Sequence, residues 1–192
     1  MVFLVIKKGK NLLVLNLFGA PGAGKSTAAH GIVSELKMLG AEVEMASEYA
    51  KILNFTERKY DAGRQIHVFS KQEYMLDAFR ASNVEIVVTD SPLINSVIYK
   101  PENYYKSFDN FVLDVFNSFE NINFLLCRKH KYSTLGRWQS EEDADKIHKR
   151  IESTLTMNNI KYTTLNSGTK LAIKDIVSFL KPKVEEIILL RK

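Results

Sequence analysis

The sequence predicts an α/β fold: a parallel sheet of about five strands covered by helices on both faces. Two observations carry that expectation. Short apolar runs recur along the 192 residues and alternate with segments of helical periodicity, the order a parallel sheet with crossover helices requires. The first run leads straight into a glycine-rich stretch, Phe18 to Thr27 (FGAPGAGKST), which opens the first helical segment.

Taken in order, Leu12 to Phe18 (LLVLNLF) is the continuous apolar run of a strand buried on both faces. Ser26 to Leu39 reads as a helix stopped by Gly40. Glu42 to Ala46 (EVEMA) is a weaker second strand, followed by a helix over Gly63 to Ala81 with Ile66, Phe69, Met75 and Phe79 near helical spacing. Glu85 to Thr89 (EIVVT) is the third strand. Tyr105 to Phe119 spaces Phe108, Phe111, Val112, Val115 and Phe119 as a helix whose aromatics are mostly core. Ile122 to Cys127 (INFLLC) is the fourth strand, and Ser140 begins a helix with Asp143 placed close to a capping box. Tyr162 to Leu165 (YTTL) is a weak fifth strand before a last helix from about Lys170, expected to kink near Pro182, where the proline removes a hydrogen bond. No repeat, low-complexity tract or linker interrupts residues 1–192, so a single domain is expected.

Composition narrows the class. With 45% hydrophobic and 26% charged residues the chain suits one domain with a sizeable core. Met1 to Ile6 is apolar but too short to span a bilayer, and Lys7, Lys8 and Lys10 follow where a signal peptide would stay apolar. A soluble cytoplasmic protein is expected. The lone cysteine, Cys127, fits a reducing compartment and reads as a small buried residue late in a strand. His30, His67, His130 and His148 show no metal-ligand spacing, which argues against zinc. The net charge of +5 suits an anionic substrate or nucleic acid, although the basic run Lys7 to Lys10 also fits an ordinary solvated surface.

The glycine-rich stretch carries the chemistry. Gly19, Gly24, Lys25 and Ser26 match G-x-x-x-x-G-K-[ST], in which backbone amides cradle phosphates, the lysine reaches the β/γ-phosphates and the serine hydroxyl meets Mg²⁺. The strand before it and the helix after it supply the required context, so Gly19, Ala20, Pro21, Gly22, Ala23, Gly24, Lys25, Ser26 and Thr27 are the expected nucleotide-binding loop. The expectation sharpens to a P-loop NTPase or kinase fold using ATP and Mg²⁺.

Three further positions join it. Asp90, at the tip of the third strand (VVTDSP), is the acid expected to hold Mg²⁺ opposite Ser26, or else to cap a helix before Pro92. Glu48, after the second strand (ASEYAK), can orient an acceptor hydroxyl or take its proton, or simply favour a helix N-terminus. The basic segment after Cys127 reads as a lid at roughly 129–140, in which Arg128 and Arg137 would stabilise the transferring group unless they only solvate the loop. Trp138 beside it could stack on a base. Gln65, Gln72 and Tyr74 could face an acceptor or the surface equally well.

With GAPGAGKST, SEYAK, VTDSPLINSVIY and GRWQSEEDADKIHKRI in view, the chain resembles the small P-loop kinases of the NadR-type nicotinamide riboside kinase group, also classed with AAA-like ATP-binding domains, over roughly Leu12 to Asn166. The resemblance implies that Glu48 orients the acceptor hydroxyl, Asp90 serves Mg²⁺ and Arg137 is the lid arginine. The TDSP stretch departs from the DTD-like pattern of riboside kinases, and the short single-domain architecture looks similar to phage-encoded kinases acting on 5-hydroxymethyluracil in DNA. That resemblance makes 5-hydroxymethyluracil in DNA the leading acceptor, with nicotinamide riboside or another nucleoside or nucleotide as the alternative. It would also imply a host cytoplasm as the setting. A regulatory NTPase without an acceptor is the competing class, separated from a kinase by whether turnover needs an added hydroxyl.

Overall fold

The computed structural model describes residues 12–129, 140–166 and 168–191. Five strands run in one sheet: β1 (Leu13–Phe18), β2 (Val43–Ala46), β3 (Ile86–Thr89), β4 (Glu120–Leu126) and β5 (Thr163–Leu165). Their order is β2-β3-β1-β4-β5, and every pairing is parallel. The expected α/β architecture is therefore the observed one.

Alternation along β1 divides the interior into two cores. Leu13, Leu15 and Leu17 face one side with Ile86, Val88, Phe124 and Leu126, where α1 (Lys25–Met38) and α8 (Thr169–Leu189) cover them. Val14 and Phe18 face the other side with Val87 and Leu125, beneath α4 (Gln65–Arg80), α6 (Phe108–Asn117) and α7 (Glu141–Met157). β1 and β3 are buried on both faces, which is why they read as near-continuous apolar runs, whereas β2 and β5 are partly exposed and read weakly. Each fully buried Leu or Ile contributes roughly 1.5–3 kcal/mol relative to exposure.

Three short helices complete the chain: α2 (Tyr49–Phe55), α3 (Lys59–Gly63) and α5 (Asn95–Tyr99). None shows an apolar stripe in the sequence, because elements this short carry too few turns; the one after β2 is anticipated only by the alternative reading of Glu48 as a residue at a helix N-terminus. The last helix begins as expected but continues through Pro182 as a single α8. Within α6 the core is Phe108, Val112 and Phe116, whereas Phe111 is exposed; on α4, Ile66 is exposed and Phe69 buried. Ser140 accepts from the Asp143 amide at 3.1 Å while the Asp143 carboxylate accepts from the Ser140 amide at 3.1 Å, so the capping box at α7 is real. Among the described residues no helix is long and apolar enough to cross a membrane.

Candidate functional site

The carboxyl ends of β1, β2 and β3 meet at one rim of the sheet, where open α/β folds bind ligands. At the end of β1 the chain turns through the glycine-rich loop into α1. Gly24 is the residue before α1 and sits at φ 83°, and a side chain there would also collide with the Thr169 hydroxyl at the start of α8. At Gly19 an added Cβ would lie 2.7 Å from the Leu126 carbonyl oxygen. Both positions need glycine, one for its backbone angle and both for close approach. The first turn of α1 contains no acidic residue, so its exposed amides keep their preference for an anion. Lys25 Nζ donates to the carbonyls of Gly19 (2.7 Å) and Ala20 (3.1 Å), which holds the ammonium over the loop.

Asp90 joins the three strand ends. Its carboxylate accepts the Ser26 hydroxyl at 2.5 Å and the Glu48 backbone N–H at 3.1 Å. Sequence reasoning had put Ser26, Asp90 and Glu48 at one edge of the sheet, and the structure brings all three together. Among the described residues no group of three or more His, Cys, Asp or Glu gathers for a metal. One carboxylate and one hydroxyl are a hard, sparse donor set, and they fit Mg²⁺, which keeps water and substrate oxygens in most of its positions. Glu48 precedes α2 without its side chain capping the helix, and it lines the adjoining cleft.

That cleft encloses about 670 Å³ and runs from Gly22, Lys25 and Ser26 past Glu48 to α2, α3 and α5. Gln72 and Gln65 are 3% and 5% exposed and line it, so of their two readings the surface one is wrong; Tyr74 does point outward. Gln72 Nε2 donates to the Ser47 carbonyl (3.3 Å) and to Thr89 Oγ1 (3.4 Å), while its Oε1 accepts from the Tyr49 amide (3.4 Å). Thr89 Oγ1 in turn donates to the Ala46 carbonyl at 2.9 Å. This network ties the ends of β2 and β3 beneath the site. Asn95, Ser96 and Tyr99 also line the cleft and were not singled out from the sequence; the signal available was their position just beyond Asp90. Asn95 Oδ1 is buried with no hydrogen-bond partner among the described residues.

Beyond β4, Arg128 pairs with Glu141 (3.1 Å) and Asp145 (2.5 Å) of α7. Arg137 and Trp138, with most of the expected lid, lie outside the described residues. Cys127 is half-buried rather than fully buried, and burial raises its thiol above the usual range, followed in effect by the Glu152 charge. A raised thiol carries less thiolate near neutrality, and Cys127 does not line the cleft.

The profile of a family described as "AAA domain" matches residues 14–170. No curated protein matches. Among solved structures, the thymidylate kinase from Ehrlichia chaffeensis superposes with a TM-score of 0.57 at 13% identity, covering 87% of this chain and 99% of that one. APE1195 gives 0.50 at 14% identity over 90% and 96% of the two chains. Deoxyadenosine kinase from M. mycoides, solved with bound dATP, gives 0.46 at 22% identity over 89% and 98%.

Proposed function

The chain belongs to the AAA domain family, and from that premise we propose that it is an ATP- and Mg²⁺-dependent kinase moving the γ-phosphoryl group to a hydroxyl of a nucleoside-like acceptor. The observation that carries the reading is the meeting of Ser26, Asp90 and the Glu48 amide beside the phosphate loop, at the mouth of a cleft deep enough for a second substrate. A thymidylate kinase built on the same fold supports it.

In this reading backbone N–H groups of the loop from Gly19 to Thr27, Pro21 excepted, bind the phosphates, and Lys25 exchanges its loop carbonyls for β/γ-oxygens. Ser26 and Asp90 hold Mg²⁺, which when bound offsets charge on those oxygens. Glu48 orients the acceptor hydroxyl and takes its proton as the new oxygen–phosphorus bond forms and the bond to the β,γ-bridging oxygen breaks, releasing ADP. Arg128 and Arg137 supply further positive charge, Arg128 by trading Glu141 and Asp145 for phosphate oxygens.

The leading acceptor is 5-hydroxymethyluracil in DNA. Lys51 and Lys59 line the cleft and suit a polyanion, and the unpaired Asn95 Oδ1 suits a base presenting an N–H donor. Nicotinamide riboside or another nucleoside or nucleotide is the alternative acceptor, and the single cysteine supports action in a reducing cytoplasm. The test is incubation with γ-labelled ATP and Mg²⁺ against nucleosides, nucleotides, nicotinamide riboside and hydroxymethyluracil-containing DNA, with mass analysis of products. Label on one acceptor is the expected result; label released only as free phosphate, whatever is added, would make the chain a regulatory NTPase instead.

A further inference from the structure

Beside the cleft lies a second, more open groove of about 510 Å³, and the two share Lys59 and Gly63. Its walls are Tyr60 and Arg64 on one side and Pro101, Tyr104 and Tyr105 on the other. Tyr60 is 76% exposed and Tyr105 64%, a large aromatic area left open to water at the edge of a candidate active site. The rings are nevertheless braced. Tyr104 packs edge-on against both Tyr105 and the core residue Phe108 at 4.9 Å, and its hydroxyl accepts the Ile66 amide at 2.9 Å. Arg64 lies 5.9 Å over the Tyr60 ring.

The charged side chains lining the groove are cationic. Among the described residues Lys59 and Arg64 line it and no carboxylate does; of the acids on the adjoining segments, Asp61 is engaged by Arg58 (2.6 Å) and Asp109 by Lys100 (3.3 Å), while Glu57 and Glu102 are exposed outside the lining. Exposed, preorganised aromatic faces interleaved with cations are the surface on which unstacked bases sit while their phosphates are neutralised. A duplex keeps its bases stacked inward and could not use these tyrosines.

We propose that this groove is a track for a single-stranded polynucleotide, holding nucleotides that flank the one presented in the cleft, with Tyr60 and Tyr105 as stacking platforms and Arg64 on a phosphate. The proposal rests on the cleft being the acceptor site. It makes the acceptor a residue within a strand rather than a free nucleoside, and it predicts that affinity grows with strand length until the groove is filled.

Fluorescence anisotropy with a labelled single-stranded oligonucleotide of about 12 nucleotides tests it on the full chain, with a mononucleotide as competitor. The oligonucleotide should bind well ahead of the mononucleotide. Tyr60→Ala and Tyr105→Ala should each weaken it about tenfold, whereas Tyr60→Phe and Tyr105→Phe should retain binding. Arg64→Ala should reduce the salt dependence by about 0.7 in log–log slope. Binding of a fluorescent ATP analogue, measured in parallel, should be unchanged in all these variants, which keeps a misfolded protein from passing as a result. Oligonucleotide binding no tighter than the mononucleotide, or indifferent to both tyrosines, overturns the track while leaving the kinase reading standing. Loss of nucleotide binding in the unmodified chain would instead remove the kinase reading on which the track depends.

Discussion

Glu48 stands where β2 hands over to α2, and its backbone N–H donates to Asp90. If the carboxylate orients the acceptor and takes its proton, Glu48→Gln keeps nearly the same shape but cannot accept that proton. Its kcat should fall about 10²–10⁴-fold while the affinity for ATP stays within a factor of about two. Full activity in Glu48→Gln would remove the assigned role. The residues on the phosphate side of the site were legible because their chemistry is written as spacing along the chain: Gly19, Gly24, Lys25 and Ser26 are close neighbours, and Asp90 sits at the tip of an apolar run. Gln72 was legible only as one of two equal alternatives, and Asn95 not at all, for a physical reason. Gln72 lies on a helix as an ordinary polar residue, and it is buried only because the carbonyls at the end of β2 meet it after folding. Asn95 likewise becomes part of the cleft only once α5 packs beside α4.

Asparagines set the register between two elements. Asn16 in β1 donates to Asn121 Oδ1 (2.8 Å) and Asn123 Oδ1 (3.0 Å) in β4, inside a sheet otherwise packed with aliphatic side chains. Asn16→Leu would leave both acceptors without that donor, which should cost about 1–3 kcal/mol, seen as a lower urea midpoint with an unchanged m-value. An unchanged midpoint would mean that water replaces the bond. At α7, the Ser140 hydroxyl and amide hold the Asp143 carboxyl below its usual range. A carboxyl depressed in the folded state stabilises above its ordinary value, and that contribution is lost as pH falls through the folded value. Ser140→Ala should therefore lower Tm by about 2–4 °C near neutrality, with the gap to the unmodified chain closing as pH falls below the ordinary aspartate range. A gap that stays constant with pH would show that Asp143 takes no part in the cap. The longer elements were legible because β1, β3 and the second half of β4 are buried on both faces and α7 carries its cap in sequence, whereas α2, α3 and α5 exist through tertiary packing and left no periodic trace.

Across the whole molecule, one core connects the phosphate loop to the end of the chain. The loop opens α1, whose Ala28, Ile32 and Leu36 pack on the same side of the sheet as Ile176, Leu180 and Val184 of α8, and the start of α8 abuts Gly24. A phosphate bound at the loop therefore acts on the element that closes half of the core, so binding and global stability are linked. A ligand that binds only the folded state adds about 2.7 kcal/mol at a hundred times its Kd, which for a domain of this size is a rise in Tm of about 5–10 °C. Saturating Mg²⁺-ATP should give that rise. Lys25→Ala, measured against its own Tm without ligand, should lose most of it, since Lys25 is held over the loop by the Gly19 and Ala20 carbonyls where the phosphates would sit. Asp90→Asn separates the metal from the phosphate: it should retain part of the ATP shift but lose the increment that Mg²⁺ adds over ATP with chelator. A shift insensitive to Lys25→Ala would place ATP away from the loop, and a Mg²⁺ increment that survives Asp90→Asn would remove Asp90 from the metal site.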